Sequence, residues 1–231
     1  MKIVLLGPPG VGKGTQANEL SKQYNIPHIS TGDILRDNIS RGTELGVLAK
    51  KIIDDGNYMS DEIILNMVKS RLLQDDAKNG YIFDGFPRTL AQAKELQSWD
   101  VKPNIIIDYN VSNTETLITR MLGRMVDKKS GRVYHKYFNP PTNEGLDNFT
   151  GDKLVSRADD NYETCIKRIS IFDNETSCLR GYYQDLKNKN KGTNFISVNS
   201  DNDINTVFGT AISFIESLKL SKTIDNQKEL Y

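Results

Sequence analysis

The sequence has few of the features that mark secreted, membrane-bound or nucleic-acid-binding proteins, and cysteine is the first of these. Two cysteines, Cys165 and Cys178, occur in 231 residues. If both lie on one helix, thirteen residues at about 1.5 Å each separate them by about 20 Å, which is too far for a disulfide. Scarce, unpaired thiols are typical of a reducing compartment. We therefore expect a cytoplasmic location, although the mitochondrial intermembrane space stays open as an alternative to the cytosol.

Net charge and long apolar runs are also missing. Thirty basic side chains balance thirty acidic ones, so the chain lacks the positive surface of a nucleic-acid-binding protein or a polybasic membrane anchor. No apolar run approaches the ~20 residues that span a bilayer. Residues 1–7 enter a strand pattern at once, so we expect no signal peptide. The expected partners are small molecules rather than nucleic acid or membrane, and a monomer is the default.

Short apolar runs alternate with helical patterns along most of the chain. The runs, which are typical of strands buried on both faces of a parallel sheet, are residues 3–6, 81–83, 105–107 and 195–198. The helical patterns cover residues 15–24, 61–73 (with Ser60 as N-cap), 89–98, 113–122, 162–187 and 203–220. This alternation predicts an α/β fold with right-handed crossovers, followed by a polar, frayed tail at 221–231.

Two segments break this rhythm. Residues 30–59 contain two short helical patterns, 31–40 and 44–54, with no strand between them. Residues 123–160 have no helical periodicity but a hairpin signal at 124–126 and 132–134. An irregular segment of this length inside a domain is usually a functional lid or a disordered loop, and its aromatic residues favour a small folded lid. The predicted core domain is then 1–29, 60–122 and 161–231.

The strongest motif is GPPGVGKGT at residues 7–15, between a predicted strand and a predicted helix. Glycine backbone N–H groups and a helix N-terminus suit phosphate oxygens, and Lys13 adds a positive charge. Gly14 stands where this motif usually has a Ser or Thr ligand for Mg²⁺. We expect Mg²⁺ to be held by phosphates and water, with no direct protein ligand, and Asp84 to hold its water shell; an N-cap role for Asp84 is the alternative.

Arginine is the second functional signal. Six of the ten arginines flank the phosphate-binding motif or the boundaries of the 123–160 segment. Planar guanidinium groups bind phosphates in pairs of hydrogen bonds and stay charged, as phosphoryl transfer requires. The six are Arg36, Arg88, Arg120, Arg124, Arg157 and Arg168.

Several motifs together resemble the adenylate kinase family of the long-lid type, over nearly the whole chain. They are GPPGVGKGTQ at 7–16, STGD at 30–33, DGFPR at 84–88, SGRVYH at 130–135, FNPP at 138–141 and RADD at 157–160. The resemblance implies a three-layer P-loop fold with a central, parallel five-stranded sheet flanked by helices. It also implies a helical AMP-binding insertion at 30–59, a small β-rich lid at 123–160, and Mg²⁺-dependent transfer of a phosphoryl group from ATP to AMP, giving two ADP.

The same resemblance implies site residues. The expected ATP-binding residues are Gly10, Val11, Gly12, Lys13, Gly14, Thr15, Arg120, Arg124, Val133, Tyr134 and Asn202. The expected AMP-binding residues are Thr31, Arg36, Asn57, Tyr58, Met59, Gly85, Phe86, Pro87, Arg88, Gln92, Arg157 and Arg168, with Gln92 reading the adenine edge. The expected catalytic residues are Lys13, Asp84, Arg88, Arg124, Arg157 and Arg168, and Asp159 and Asp160 would steer arginines.

Departures from the family pattern carry their own expectations. Some relatives hold zinc in the lid, but the corresponding residues here are Asp127, Ser130, Asp147 and Thr150, whose hard oxygens do not suit structural zinc. We expect a polar cluster without metal, its carboxylates relieved by Lys128, Lys129 or a shared proton.

The remaining expectations concern single residues. His28 should pack at a strand end, His135 should either contact the donor base or pack, Trp99 should pack, and the Phe86–Pro87 bond should be cis.

Three functions stay in competition at this point. ATP:AMP phosphotransfer is favoured. GTP as the donor is the second, because the donor loop at about 199–203 makes largely backbone contacts in the family. A catalytically silent nucleotide-binding protein is the third, and the intact Lys13, Asp84, Arg88 and Arg124 speak against it. UMP/CMP kinases are disfavoured by the long lid and by Gln92.

Overall fold

Seven strands organise the computed structural model, which describes residues 1–228 and the side chains of 1–221. In chain order they are β1 (Lys2–Leu6), β2 (His28–Ser30), β3 (Tyr81–Asp84), β4 (Ile105–Asn110), β5 (Arg124–Val126), β6 (Val133–His135) and β7 (Asn194–Asn199). Five of them form a parallel sheet in the order β2-β3-β1-β4-β7. The predicted α/β fold with a five-stranded parallel sheet is therefore confirmed. The pattern of apolar runs missed β2, because a three-residue strand with one apolar residue gives no recognisable signal.

Helices cover both faces of the sheet and account for most of the remaining chain. They are α1 (Lys13–Tyr24), α2 (Thr31–Ser40), α3 (Glu44–Asp54), α4 (Asp61–Leu72), α5 (Leu90–Ser98), α6 (Thr114–Leu122), α7 (Tyr162–Ile171), α8 (Cys178–Asn188) and α9 (Ile204–Lys228). Side chains of Thr43, Thr89, Asn113 and Asn161 cap α3, α5, α6 and α7 by accepting backbone N–H bonds. The two helices at 30–59 have the predicted bounds. No described helix is long and apolar enough to cross a membrane.

Successive side chains of β1 point to opposite faces of the sheet, where they join two separate apolar layers. Ile3 and Leu5 face the layer formed with α1, α6, α7 and α9, while Val4 and Leu6 face the layer formed with α4, α5 and α8. All four side chains are buried. The sheet is thus covered on both sides, which explains why its strands are continuous apolar runs.

Two helix predictions need correction. The single helix expected over 162–187 is interrupted at Phe172–Thr176 by a π-helical turn, whose i→i+5 bond runs from Ser177 N to Phe172 O (2.9 Å). The helix expected over 203–220 continues to Lys228, so 221–228 is helical rather than frayed. The last three residues of the predicted tail, 229–231, lie outside the described residues. Ser60 precedes α4 as predicted, but its side chain makes no capping hydrogen bond in the described part of the chain.

The 123–160 segment is a small folded unit around the antiparallel hairpin of β5 and β6. Its interior is mainly polar: Asp127 and Asp147 are both 2% exposed, while Tyr134 and Leu154 are its buried apolar residues. Asp147 accepts hydrogen bonds from the hydroxyls of Tyr134 (3.0 Å) and Thr150 (3.0 Å), and Ser130 donates to Asp127. The predicted polar cluster is therefore present.

Arg132 relieves the repulsion between these two carboxylates, which corrects the expectation for that cluster. Its Nε and Nη2 atoms each donate to Asp147 at 2.7 Å, and Nη2 lies 3.6 Å from Asp127. Lys129 instead pairs with Asp152 (2.9 Å). Hydrogen bonds from Arg132 hold the pKa of Asp147 well below its usual range, so no shared proton is needed.

Candidate active site

The loop that joins β1 to α1 forms a phosphate-binding cradle at the carboxyl edge of the sheet. Gly10 and Gly12 have φ angles of 82° and 105°, in the left-handed region that favours glycine. A Cβ atom on Gly10 would lie 2.6 Å from the Leu117 carbonyl oxygen, so the close packing also requires glycine there. Gly12 is the N-cap of α1, and the helix N-terminus directs backbone N–H groups into the loop.

Lys13 lies inside this cradle. Its ammonium donates to the carbonyl oxygens of Gly7 (2.7 Å) and Pro8 (2.9 Å). Burial lowers the pKa of Lys13 to about 8, Asp84 partly opposes that change, and Arg88 and Arg168 add to it. The cation is held by backbone dipoles in a site crowded with positive charge, which suits an anionic ligand.

Asp84, at the end of β3, stands beside Lys13. Burial alone would raise the pKa of Asp84, but His28, Lys13 and Arg88 together hold it well below its usual range. A Cβ atom on Gly14 would come within 3.4 Å of Asp84 Oδ2, so glycine leaves room next to this carboxylate. An ionised carboxylate with open space beside a phosphate cradle fits the water shell of a nucleotide-bound Mg²⁺.

His28 has a contact that the sequence did not predict. It begins β2, as the expected strand-end position requires, and its Nδ1 atom lies 2.8 Å from Asn18 Oδ1. Its Nε2 atom lies 3.5 Å from Asp84 Oδ2. Because β2 pairs with β3, with Ser30 opposite Asp84, recognising β2 would have been the signal for this contact.

Four arginines of the site, Arg36, Arg124, Arg157 and Arg168, pair with carboxylates. Arg124 Nε donates to Asp160 (2.8 Å), and Arg168 donates to Asp159 (2.8 Å). The other two, Arg36 and Arg157, both pair with Asp33, Arg157 at 3.5 Å. Asp159 and Asp160 thus contact arginines, as expected of them. Asp33 lies in the STGD motif at 30–33, and its position between Arg36 and Arg157 was not predicted.

The positive charges of this ring repel one another. Burial, together with the neighbouring Arg124 and Arg36, lowers the pKa of Arg157 to about 10, and Asp33 and Asp160 only partly oppose this change. The guanidinium is still charged at neutral pH, but at a free-energy cost that an additional anion would relieve. The arrangement is therefore chemically suited to phosphate groups.

Arg88 is fixed on the side of the 30–59 segment. Its Nε donates to Gly85 O (2.8 Å), which also accepts from the Thr31 hydroxyl (2.8 Å), and its guanidinium lies 4.9 Å from the Tyr58 ring centre. Gln92, buried at 2% exposure, accepts from Arg88 N (2.7 Å). The Gln92 amide also donates to Asp61 (2.7 Å). Gln92 therefore braces Arg88 and has one N–H and one lone pair beyond these two hydrogen bonds.

The other residues expected to bind AMP have mainly backbone groups with which to contact a ligand. Phe86 is fully buried against Trp99 (ring centres 6.2 Å apart), so Trp99 does pack, and the Phe86–Pro87 bond is cis as predicted. Met59 is buried, and Asn57 N–H bonds to Ile52 O (2.9 Å) at the end of α3. A contribution from Asn57 backbone to a ligand would therefore come from its carbonyl group.

On the opposite side, Arg120 joins the cradle to the loop after β7. It donates to Ser200 O (2.8 Å) and Val11 O (3.4 Å), and its guanidinium lies 5.8 Å from the Phe138 ring centre. Asn202 is exposed in the same loop. Val133 is half-buried in β6, and Thr15 lies in the first turn of α1.

Two residues expected near the donor nucleotide, Tyr134 and His135, have buried side chains. Tyr134 is 5% exposed, and its hydroxyl donates to Asp147 and accepts from Asn148 N (3.0 Å). His135 is buried, with Nδ1 accepting from two backbone N–H groups and Nε2 3.2 Å from Thr119 O. Of the two open roles for His135, the structure favours packing. Neither side chain offers a free polar atom to a base.

A family model with the description "Adenylate kinase" matches residues 5–188. The matched range contains the phosphate cradle, Asp84, the 30–59 and 123–160 segments, and Arg168. It ends before β7 and the loop of Asn202. Among the described residues, no three His, Cys, Asp or Glu side chains are grouped as a metal site would require; the absence of zinc stays a prediction.

Proposed function

The chain belongs to the adenylate kinase family, and from that premise we propose that it transfers the terminal phosphoryl group of ATP to AMP, giving two ADP. Family membership makes the chain a nucleotide-binding phosphotransferase. The donor, the acceptor and the residue roles are our proposal. The predicted cytoplasmic location, monomeric state and division into a core, a 30–59 insertion and a 123–160 lid belong to the same proposal.

One observation carries this function: cations from separate parts of the chain are grouped near Lys13. In addition to burial, the charges of Arg88, Arg168 and Arg124 lower the pKa of Lys13, and Arg157 lies close enough to Arg124 and Arg36 for both to lower its own pKa. Arg36 comes from the 30–59 segment, Arg157 from the 123–160 segment, and Arg168 from α7. The 3.5 Å pair of Arg157 with Asp33 joins the two segments. A group of cations of this kind suits the phosphate groups of two nucleotides placed end to end better than a single nucleotide.

The proposed mechanism is alignment and charge neutralisation. The cradle of 7–12 would bind the donor phosphates, and Arg36 and Arg88 would hold the AMP phosphate in line. Lys13, Arg124, Arg157 and Arg168 would neutralise charge on the transferred group. Mg²⁺ bound to the donor would supply further charge neutralisation, with Asp84 holding its water shell. No side chain needs to remove a proton, because the acceptor oxygen already belongs to an ionised phosphate.

Water must be kept out, since it would compete with AMP as the acceptor. The 123–160 segment would do this as a lid, since Arg124 and Arg157 connect it to the reacting phosphates. Asp33, Asp159 and Asp160 would hold the arginines in place until phosphates displace them. Without ligand, these carboxylates would reduce the repulsion between the arginines. A polyphosphate carries more negative charge than a carboxylate and would therefore replace the carboxylates as the partner of the arginines.

The test is ADP formation by the purified protein from AMP and Mg²⁺ with either ATP or GTP. We expect ADP from ATP, no comparable product from GTP, and little ADP from ATP when AMP is omitted. ADP formation with GTP but not with ATP would show that GTP is the donor. Failure to form ADP from either donor would contradict the proposal and leave a nucleotide-binding protein without transferase activity.

A further inference from the structure

A buried threonine joins two parts of the AMP side of the site. Thr176 is 7% exposed and ends the π-helical turn between α7 and α8. Its hydroxyl donates to the carbonyl oxygen of Arg88 (2.7 Å) and lies 3.1 Å from the Tyr58 hydroxyl. Neither the motifs nor the hydrophobic periodicity pointed to Thr176.

The direction of the second hydrogen bond follows from proton count. A threonine hydroxyl has one proton, and here that proton is donated to Arg88 O. The Tyr58 hydroxyl must therefore be the donor to Thr176 Oγ1. The result is a directed chain from Tyr58 through Thr176 to Arg88, which links the 30–59 segment to the backbone of the loop that follows β3.

This chain completes the fixation of Arg88. Gln92 holds its N–H, Gly85 O holds its Nε, and Thr176 holds its carbonyl group. The Tyr58 ring, whose hydroxyl is tied to Thr176, is also the ring that faces the Arg88 guanidinium. Tyr58 and Arg88 are thus positioned as a pair by one hydroxyl.

The π-helical turn accounts for how that hydroxyl reaches the site. A π turn inserts one residue into a helix and changes the direction in which later side chains point, and such turns are often found at functional sites. The same stretch of chain carries Arg168 in α7, and Arg168 packs near Gly56, where a Cβ atom would lie 3.2 Å from Arg168 Cγ. Arg168 in α7 and Thr176 in the π-helical turn that directly follows it therefore both lie next to the 30–59 segment.

We propose that Thr176 is a positioning residue for the acceptor nucleotide: it orients Arg88 and Tyr58 together and so favours AMP binding. It makes no contact with substrate itself. The inference rests on the proposed function, because it assigns Arg88 to the AMP phosphate.

The experiment compares Thr176→Val, which keeps the shape and removes the hydroxyl, with Thr176→Ser, which keeps the hydroxyl. Thr176→Val leaves a buried carbonyl group without its donor, so we expect the KM and calorimetric Kd for AMP to rise roughly tenfold. The KM for ATP should stay within about twofold, and Thr176→Ser should restore most of the AMP affinity.

A matched control is available in Thr193, which is 5% exposed and whose Oγ1 has no hydrogen-bond partner among the described residues. Thr193→Val makes the same chemical change and should alter neither KM. Tyr58→Phe provides a second test should Thr176→Val fold poorly: it should raise the KM for AMP by about two- to threefold, with little change for ATP. Added to Thr176→Val, it should have almost no further effect, because both changes break one chain.

Equal rises in KM for AMP and ATP, or a lower melting temperature with an unchanged KM for AMP, would overturn the inference. So would failure of Thr176→Ser to restore binding. Wild-type activity separates this inference from the proposed function. No ADP from the wild type would reject the function, whereas normal wild-type turnover with no AMP effect in Thr176→Val or Tyr58→Phe would reject only the role of Thr176.

Discussion

The central sheet and the 123–160 segment are stabilised by different kinds of interaction. The sheet lies between two apolar layers, and its inner strands are almost completely buried. The 123–160 segment buries carboxylates instead, and Arg132, Tyr134 and Thr150 satisfy Asp147 by hydrogen bonds. Apolar burial is spread over many contacts, whereas a polar network depends on a few directional bonds.

This difference matches what each region would do in the reaction. A site that aligns two nucleotides needs a rigid base for the phosphates, and the sheet with its cradle supplies it. A cover that opens for substrate exchange must be able to separate as a unit without exposing a large apolar surface. A polar interior would meet that requirement, because the hydrogen bonds of Asp127 and Asp147 are all made within the segment.

The largest expected effect comes from removing the charge in the rigid region. Lys13→Met should lower kcat/KM at least about a hundredfold, because the charge that faces the transferred phosphoryl group is lost. The melting temperature should stay the same or rise, since burial already lowers the pKa of Lys13 to about 8 and so opposes the charged form. Steady-state kinetics and thermal unfolding of the same sample measure both quantities.

Lys22 provides the control, because its side chain is 72% exposed and its ammonium pairs at the surface with Glu19. Lys22→Met should leave kcat/KM and the melting temperature unchanged. A much lower melting temperature of Lys13→Met would instead show that Lys13 stabilises the fold. Lys13 could then not be treated as a ligand-binding group separate from the apolar layers that stabilise the sheet.

The next effect is expected in the polar region. Asp147→Asn keeps the size of the side chain but removes the charge and one of the oxygens that Arg132 and Thr150 use. Local opening should increase, so limited proteolysis within 123–160 should accelerate by roughly tenfold or more, while Trp99 fluorescence of the sheet region is unchanged. Unchanged proteolysis would mean that the network does not hold the segment together.

Lowering the pH should also weaken the 123–160 segment before the sheet region, but over a range of pH rather than in one step. The pKa of Asp147 is lowered mainly by its hydrogen bonds with Arg132, so its stabilising contribution is complete above its ordinary value of 3.8 and declines as the pH falls below it. Between about pH 4 and pH 2, pepsin should cleave the 123–160 segment before Trp99 fluorescence changes. Simultaneous loss of both signals would show that the two regions unfold as one.

The smallest effect is expected for Lys129→Ala. Lys129 is 78% exposed and pairs with Asp152 at the surface of the segment. Exposed ion pairs contribute little, so proteolysis should be unchanged and the melting temperature should move by less than about 1 °C. A change as large as that of Asp147→Asn would mean that surface charge, not the interior network, stabilises the segment.

The sequence predicted the fold and the cradle well because those features depend on local signals. Apolar runs identified β1, β3, β4 and β7, and the GPPGVGKGT motif placed Lys13 between a strand and a helix. The same local signals set the bounds of α2 and α3. They failed for β2, which is too short, and for the break between α7 and α8, because a π turn leaves the hydrophobic periodicity almost intact.

The missed residues act through long-range contacts. Arg132 lies 15 positions from its partner Asp147, whereas the predicted partners Lys128 and Lys129 directly follow Asp127 in sequence. Thr176 lies 88 positions from Arg88. The polar atoms of Tyr134 and His135 are occupied by hydrogen bonds to Asp147 and to backbone N–H groups, which the sequence did not predict. A side chain's availability to a ligand depends on what else bonds to it, and a single sequence does not contain that information.

The central claim is that one ring of cations holds two nucleotides end to end. Calorimetry with a bisubstrate mimic, two adenosines joined through five phosphates, tests it most directly. The account predicts one mimic per chain, tight binding that both ATP and AMP weaken by competition, and loss of that binding in Lys13→Met. Failure of the mimic to bind, or binding that only one of the two nucleotides displaces, would contradict it.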